Sequence, residues 1–312
     1  MEPILSIQNL EKSYKNKKVI KDISFDVKKG EILCILGPNG AGKSTTINIL
    51  TGALDYEHGL IQSEKENVHD HIRTFKNRLG IVPQDIALYE ELSAEQNINF
   101  FASLYGLKGR NLKKQCDAAL AFAGLSDRRK DKVKTYSGGM KRRLNIACAI
   151  AHQPEILIMD EPTVGIDPQS RNHILDSIKK LRSQGMTIIY TTHYMEEVEE
   201  ISTRIMIMDD GRIIAGGTKE ELKEHVNEEK LYHIDVDQTE RLNEQEFYHI
   251  EGIKHVNISK SYVELSALKS VENLDRIIAV FIQNQTKINS ISCEATSLET
   301  VFLRLTGKSL RD

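Results

Sequence analysis

Short runs of apolar and β-branched residues recur along the first 210 positions of the chain, and longer stretches with helical spacing separate them. Residues 32–36, 156–159 and 187–191 consist almost entirely of apolar, β-branched or aromatic side chains. Such runs are typical of strands buried on both faces of a parallel sheet with crossover helices. Similar runs occur at 4–7, 23–27, 79–84 and 204–208. The pattern predicts an α/β core preceded by a β-rich segment.

Apolar residues are spaced differently between the runs at 79–84 and 156–159. Between residues 92 and 143, apolar positions such as Ile98, Phe101 and Leu104, and later Cys116 and Leu120, recur every three or four residues. This spacing indicates amphipathic helices rather than strands. We therefore expect an inserted helical subdomain over about residues 88–143.

The composition changes again near residue 219. Residues 219–230 are nearly all polar and predict a helix followed by a linker. Alternating runs at 232–236, 254–258, 262–265 and 288–293, an apolar-striped helix at 274–282 and a closing helix at 297–305 then predict a small α+β unit. We expect two domains, over residues 1–222 and 223–312.

Bulk properties exclude several classes of protein. With 42 basic and 45 acidic residues the formal net charge is −3, which gives no reason to expect a nucleic-acid partner. The cysteines Cys34, Cys116, Cys148 and Cys293 are widely spaced and mostly in apolar surroundings, as expected for reduced, buried thiols. No run of about 18 apolar residues is present, and the first residues do not resemble a signal peptide, so we expect neither a membrane span nor a leader.

The strongest chemical signal follows the apolar run at 32–36. The next residues fill every fixed position of the phosphate-binding P-loop, and Thr45 follows them: Gly37, Pro38, Asn39, Gly40, Ala41, Gly42, Lys43 and Ser44. Glycines let the backbone N–H groups converge on a phosphate, the next helix presents its positive end, and Lys43 adds a mobile charge. We expect ATP as the ligand, with Ser44 on Mg²⁺.

A second acidic element completes such a site. Asp160 and Glu161 follow the apolar run 156–159, which places both carboxylates at the carboxyl end of a buried strand, where α/β sheets bind ligands. We expect Asp160 to reach Mg²⁺ and Glu161 to act as the general base toward water.

A second anion site is predicted 23 residues before Asp160. Ser137, Gly138, Gly139 and Met140 stand at the start of a predicted helix, where a serine hydroxyl and glycine N–H groups can bind a phosphate. One molecule thus carries two half-sites for phosphate, and a pair of molecules would use both.

These residues, in this order, resemble the ATP-binding subunits of ABC transporters over about the first 220 residues. The resemblance identifies Gln84 as the glutamine loop, residues 137–140 as the signature, Asp167 in the D-loop and His193 as the switch histidine. It implies a P-loop NTPase cassette in which Gln84 contacts Mg²⁺ or its water, His193 donates to the γ-phosphate and Asp167 couples two sites. Tyr14 resembles the aromatic residue that stacks on adenine, although it fits a core position equally well.

The resemblance also implies partners. Two copies, in a homodimer or heterodimer, would enclose two ATP molecules, each P-loop facing the signature of the other copy, and would drive a separate membrane permease. The chain would lie at the cytoplasmic side of the cell membrane as a peripheral subunit. The permease would dock on the surface around Gln84 and the helical subdomain, including residues 89–94.

The signature departs from the commonest family pattern, because Tyr136 and Met140 replace leucine and glutamine. Met140 followed by three basic residues is similar to the branch that exports drugs, lipids, polysaccharides or sodium. Residues 297–307 resemble the closing helix of bacterial drug-resistance exporters, but they fit an ordinary amphipathic helix that packs on its own domain equally well.

Three alternatives remain open on the sequence. The first is an ABC-type ATPase that acts on DNA or ribosomes, although such proteins usually carry a coiled-coil insertion or two cassettes. The second is a regulatory or immunity-type module in which ATP only sets the conformation. The third is the ATPase of an importer.

Overall fold

The computed structural model describes residues 3–15, 17–226, 229–294 and 298–306. The chain forms two compact units, and the second begins at Lys219. Within the described residues, no helix combines the length and the apolar character that crossing a bilayer requires.

The first unit contains ten strands and seven α-helices among its described residues. The strands are β1 (Pro3–Tyr14), β2 (Lys17–Lys28), β3 (Ile32–Leu36), β4 (His58–Ser63), β5 (Glu66–Asn67), β6 (Leu79–Val82), β7 (Ile156–Asp160), β8 (Thr187–Thr192), β9 (Arg204–Asp209) and β10 (Arg212–Gly217). The helices are α1 (Lys43–Leu50), α2 (Ile72–Asn77), α3 (Ala94–Leu104), α4 (Gly109–Phe122), α5 (Gly138–Ile150), α6 (Pro168–Ser183) and α7 (Met195–Ile201).

The central sheet has six strands in the order β10-β9-β3-β8-β7-β6. All neighbours are parallel except β10, which forms a hairpin with β9. Every residue of β3, β7 and β8 is buried, which is why these strands appear as unbroken apolar or β-branched runs in the sequence. The carboxyl ends of the parallel strands therefore meet at one edge of the sheet.

A second, antiparallel sheet has the strand order β2-β1-β4-β5. Its inward side chains, among them Leu5, Ile7 and Ile61, share one hydrophobic core with residues of β3 and β7. Strands β1 and β2 are longer than the apolar runs at 4–7 and 23–27 indicate, because the backbone pairing of the two strands continues through mostly polar residues.

Helices α3, α4 and α5 enclose a separate hydrophobic core that includes Ile98, Leu120, Val133 and Leu144. The predicted helical stretch is interrupted between α4 and α5, where two 3₁₀ turns at Ser126–Arg128 and Val133–Thr135 lead into α5. Ser93 caps α3 in a capping box with Gln96, which fixes where the first of these helices begins.

The second unit consists of α8 (Lys219–Val226), β11 (Glu229–Val236), α9 (Glu244–Tyr248), β12 (Ile253–Ile258), β13 (Tyr262–Leu268), α10 (Leu274–Gln283), β14 (Ile288–Glu294) and α11 (Leu298–Thr306). Its antiparallel sheet has the order β12-β13-β11-β14, and with α9 and α10 it forms the split βαβ arrangement of ferredoxin-like domains. Phe247 and Phe281 fill its core.

Two details of the second unit differ from expectation. Residues 229–230 belong to β11 rather than to a linker, because the strand pairs with β13 from Glu229 onward. Cys293 is exposed, whereas Cys34, Cys116 and Cys148 are buried as expected. In α11, Leu298, Val301 and Phe302 are buried and the helix packs against α8, while Leu305 is exposed.

Candidate nucleotide site

Strand order brings most of the predicted site residues to one edge of the central sheet. The neighbouring strands β3, β8, β7 and β6 end in the P-loop, in His193, in Asp160 with Glu161, and in the segment that carries Gln84. Parallel strands place these ends side by side although they are far apart in sequence. The site is therefore a direct product of the sheet topology.

The P-loop bends back on the start of α1. Gly42, the residue before the helix, has φ of 104°, a conformation that favours glycine. The Lys43 ammonium is 4% exposed and donates to the carbonyl oxygens of Gly37 at 2.8 Å and Pro38 at 3.1 Å. The lysine charge is thus held against the loop that is predicted to enclose the phosphates.

Asp160 joins the P-loop to the neighbouring strand. Its Oδ1 accepts hydrogen bonds from the Ser44 hydroxyl at 3.2 Å and from the Thr191 hydroxyl at 2.6 Å. A hydroxyl and a carboxylate at this separation, with Gln84 lining the same cleft as Ser44, provide the hard oxygen ligands that Mg²⁺ prefers. The donor set therefore fits this metal.

Glu161 lies between two groups that can carry positive charge. Its Oε1 is 3.1 Å from the Lys43 ammonium, and its Oε2 is 3.3 Å from Nδ1 of His193. The residue has φ of 44°, and its N–H donates to the Thr191 hydroxyl at 3.0 Å. A non-glycine residue in this backbone region is uncommon and often marks a functional site.

A cleft of about 180 Å³ lies between these elements. It is lined by Val19, Asn39, Gly40, Gly42, Lys43, Ser44, Thr45, Gln84 and Glu161. Gln84 is exposed and faces this cleft from the end of β6. Tyr14 is not part of the lining; it ends β1 and is 47% exposed, which removes the core interpretation of this residue.

The signature residues lie elsewhere in the unit. Ser137 caps α5 by accepting a hydrogen bond from the Met140 N–H at 3.3 Å, and both Ser137 and Gly138 are exposed. Gly139 packs so closely on the start of α6 that a Cβ there would lie 2.1 Å from the Ser170 hydroxyl. Within one chain the signature therefore contacts the D-loop helix and does not line the P-loop cleft.

Asp167 caps that D-loop helix. Its carboxylate accepts a hydrogen bond from the Ser170 N–H at 2.9 Å, and the hydrogen bonds from Ser170 hold the pKa of Asp167 below its usual value. The cap places the carboxylate beside Gly139, whose Cβ would lie 3.5 Å from Oδ2.

Sequence reasoning missed a buried carboxylate behind the site. Glu197 is completely buried and accepts hydrogen bonds from the hydroxyls of Thr163, Tyr190 and Thr192, the last two at 2.8 Å. Burial and the nearby Glu197 charge raise the pKa of Tyr190 well above its usual value. Signals were present in the sequence: three consecutive hydroxyl side chains before His193, and a glutamate four residues after it.

Glu197 is also connected to His193, through the side chains of Arg171 and Tyr194. The Arg171 Nε lies 3.7 Å from Glu197, and the Arg171 guanidinium carbon lies 4.8 Å from the ring centre of Tyr194. The Tyr194 ring is in turn 4.2 Å from that of His193. One buried carboxylate thus links the segment after Glu161, the D-loop helix and the switch histidine.

Two larger depressions, of about 670 and 720 Å³, lie away from this edge. The first is lined mainly by α4 and the ends of α5 and α6, and the second by β1 and β4, with Lys29 common to both. Neither lining includes a predicted site residue.

Comparison with known families agrees with this geometry. The ABC transporter family model matches residues 20–164, and a model described as an AAA domain, putative AbiEii toxin of a type IV toxin–antitoxin system, matches residues 132–199. The first match contains the P-loop, Gln84, the signature and the Asp160–Glu161 pair. The two matches overlap within the same cassette.

Relatives extend the match over nearly the whole chain. The linearmycin resistance ATP-binding protein LnrL of Bacillus subtilis (strain 168) is 43% identical over 99% of this chain and 100% of its own length. The Nod factor export ATP-binding protein I of Ralstonia nicotianae is 33% identical over 99% and 96%. The daunorubicin resistance ATP-binding protein DrrA3 of Streptomyces coeruleorubidus is 31% identical over 98% and 97%.

Solved structures match the cassette. An ATP-binding subunit of an ABC transporter aligns with a TM-score of 0.65 at 29% identity, covering 71% of this chain and 92% of its own. A dimeric ATP-binding cassette in a post-hydrolysis state with ADP and Pi aligns with a TM-score of 0.63 at 26% identity, covering 69% and 98%.

The fold and the site together define a P-loop ATPase of the cassette type. The chain belongs to the family of ABC transporter ATP-binding subunits. It binds and hydrolyses ATP as a subunit of a transporter, and the predicted fold class and activity are confirmed.

Proposed function

We propose that this chain is the motor subunit of an exporter for drugs, lipids or other small molecules. The ATP-binding domain would span about residues 1–222 and an accessory domain residues 223–312, a division that lies within four residues of the start of the second compact unit at Lys219. The observation that carries the proposal is the position of the Glu161 carboxylate, which lies between Lys43 and His193 at the edge of the P-loop cleft.

In the proposed reaction Glu161 accepts a proton from the attacking water, and His193 holds that carboxylate in line with the γ-phosphate. Lys43 and the P-loop N–H groups bind the phosphates. Ser44, Gln84 and Asp160 would hold Mg²⁺, which would neutralise charge on the phosphate oxygens. The hydrogen bond between Ser44 and Asp160 supports this assignment, because it brings two of the three ligands together.

We propose that two ATPase subunits, identical or different, enclose ATP between them. The second contact on each nucleotide would come from Ser137, Gly138, Gly139 and Met140 of the other subunit, with Asp167 at the joint. Two observations support this arrangement: Ser137 and Gly138 are exposed and no signature residue lines the cleft of its own chain, and a structurally similar cassette is dimeric. Tyr14 is exposed at the end of β1, as a residue that stacks on adenine must be.

A separate permease would dock on the helical segment, at the cytoplasmic side of the membrane. Tyr89, Phe100 and Leu104 are 50%, 38% and 65% exposed, and the Tyr89 and Phe100 rings meet edge to face at 5.0 Å. The buried Asn97 amide donates to the Tyr89 and Ser93 carbonyls at 3.0 Å, which fixes the segment that carries Tyr89. A rigid, exposed aromatic patch of this kind suits a permease helix.

Export rather than import is supported by the relatives. Those that align over nearly the whole chain, including the C-terminal unit, are named for linearmycin resistance, daunorubicin resistance and Nod factor export. The proposed cargo is accordingly a small molecule that leaves the cell.

The substitution Glu161→Gln tests the proposal. Because glutamine keeps the shape of the side chain but cannot accept the proton, the variant should bind ATP, form a dimer with Mg²⁺ and ATP, and hydrolyse ATP at least about 100-fold more slowly. Turnover is measured as phosphate release, binding with a fluorescent ATP analogue, and dimerisation by sedimentation.

Glu155→Gln is the matched control. Glu155 directly precedes β7, at the end opposite Glu161, and pairs with Arg78 through two hydrogen bonds of 2.9 and 2.8 Å. This control should turn over like the unaltered protein. Wild-type turnover in Glu161→Gln would remove Glu161 from the role of base, and a folded variant that stays monomeric with Mg²⁺ and ATP would contradict the dimer.

A further inference from the structure

Arg142, in the second turn of α5, is a buried cation that joins two elements of the cassette. The side chain is 3% exposed. Its Nη1 donates to the Pro83 carbonyl at 2.7 Å, and its Nη2 donates to the Gln84 carbonyl at 2.5 Å. The helix that begins with the signature is therefore fastened to the backbone of the glutamine loop.

The two carbonyls are essential partners for this charge. In the described part of the chain Arg142 has no carboxylate within 4.0 Å, and its Nε is buried without a hydrogen-bond partner. Burial lowers the pKa of the Arg142 guanidinium, while Tyr190 and Asp85 act in the opposite direction. Moving the glutamine loop away from α5 would leave a buried cation without its acceptors, which costs more than losing an exposed contact.

The neighbouring basic residues of α5 do not make this connection. Arg143 donates from Nη1 to the Ala123 carbonyl at 2.7 Å, at the end of α4, and Lys141 pairs with Glu90 at 2.5 Å. Of the three consecutive basic residues that follow Met140, Arg142 is thus the one whose guanidinium binds the Gln84 backbone. Arg143 binds a carbonyl in a similar way but toward a different element.

We propose that Arg142 is a positioning residue that makes the placement of the signature at Ser137–Met140 depend on the position of the Gln84 loop. Gln84 lines the P-loop cleft, and Arg142 follows Ser137 by five residues, about 7.5 Å along the helix. A displacement of Gln84 by bound nucleotide is then transmitted to the signature as movement of α5. The inference rests on the proposed function, because it requires the signature to bind the nucleotide of a second subunit.

The experiment compares double variants in the Glu161→Gln background, in which hydrolysis does not remove the dimer. Arg142→Ala is combined with this change, and Arg143→Ala serves as the matched control on the same helix. ATP is titrated with Mg²⁺ while dimerisation is followed by sedimentation. Nucleotide affinity of the monomer is measured with a fluorescent ATP analogue at a protein concentration that does not support dimers.

Arg142→Ala should raise the ATP concentration needed for half-maximal dimerisation by about tenfold or more, because it removes two hydrogen bonds from a charged donor. The affinity of the monomer for the analogue should change by less than about threefold, since Arg142 does not line the cleft. Arg143→Ala should dimerise like its parent. In an otherwise unaltered chain, Arg142→Ala should lower kcat and leave KM for ATP nearly unchanged.

Dimerisation of the Arg142→Ala variant at the ATP concentration of its parent would overturn the inference. If instead the Glu161→Gln parent fails to dimerise, the proposed function fails and the assignment of Arg142 fails with it. Circular dichroism establishes whether Arg142→Ala is folded. If it is not folded, Arg142→Lys takes its place, because lysine keeps the charge but cannot bind both carbonyls as a planar fork. The ATP concentration needed for half-maximal dimerisation should then rise severalfold. An unchanged concentration would refute the positioning role of Arg142.

Discussion

Replacement of the buried Glu197 should weaken both the stability and the turnover of the cassette. The carboxylate accepts hydrogen bonds from Thr163, Tyr190 and Thr192 and lies 3.7 Å from Arg171. Glu197→Gln keeps the volume but removes the charge, and its amide nitrogen can only donate. At least one hydroxyl must then reorient, and the remaining hydrogen bonds become neutral.

The magnitude follows from the number and type of these bonds. A hydrogen bond to a charged group contributes about 1.5–3 kcal/mol and a neutral one about 0.5–1.5 kcal/mol, so the amide should lower the free energy of unfolding by about 1–3 kcal/mol. Glu197→Ala leaves three buried hydroxyls without their acceptor and Arg171 without its counter-charge, and a loss of about 3–5 kcal/mol is expected. These values are a large part of the stability of an ordinary domain.

Urea unfolding followed by far-ultraviolet circular dichroism measures the change, and Glu200→Gln is the control. Glu200 lies on the same helix α7, but its 3.0 Å ion pair with Lys179 is exposed, so the loss should stay below about 1 kcal/mol. Turnover should separate the two variants further. Glu197→Gln should lower kcat and change KM for ATP by a smaller factor, because Arg171 and Tyr194 connect Glu197 to His193.

Equal stability of the Glu197→Gln and Glu200→Gln variants would refute the energetic reasoning. A stability loss with unchanged kcat would show that the buried network supports the fold but does not position His193. Both measurements use the full chain, and the control variant reports on the same unit.

Two further predictions concern close packing and thiol exposure. Gly139→Ala places a Cβ 2.1 Å from the Ser170 hydroxyl and 2.6 Å from the Ser170 Cβ, so α5 and α6 must move apart. ATP turnover of this variant should fall at least about tenfold. Gly138→Ala is the control: its Cβ meets nothing closer than 3.9 Å, so its turnover should fall less. At pH 8, iodoacetamide should modify Cys293 in the folded chain and leave Cys116 and Cys148 unmodified, because burial raises the pKa of Cys116 to about 11 and that of Cys148 further. Mass spectrometry identifies the modified residues, and rapid labelling of Cys148 would contradict the packing of α5.

The features that the sequence predicted well are those that depend on local order. The P-loop, the apolar strand before it and the Asp160–Glu161 pair are consecutive residues whose conformation follows from their neighbours. Once two strands are known to be parallel, their carboxyl ends share an edge, and the meeting of Glu161 with His193 follows. The site could therefore be assembled from short motifs and one topological rule.

The features that the sequence could not predict are contacts between residues that are distant in the chain. Nothing near Glu197 in the sequence indicates that its hydrogen-bond donors include the hydroxyl of Thr163, 34 residues earlier. Arg142 appeared only as part of a basic run, and its 59-residue separation from Pro83 gave no local signal. The hydrogen-bond partners of buried polar groups are fixed by tertiary packing, which a hydrophobic pattern does not encode.

The signature segment is held from two sides by elements that begin where the catalytic strands end. Through Arg142 it is bound to the loop after β6, and through Gly139 it packs on Ser170 in α6, which follows β7 by way of Asp167. On the proposed coupling, movement at the end of either strand would displace α5, although no signature residue lines the cleft of its own chain. In the proposed dimer, events at one P-loop would in this way alter how the same subunit presents Ser137 to a second one, without direct contact between the two phosphate-binding segments of one chain.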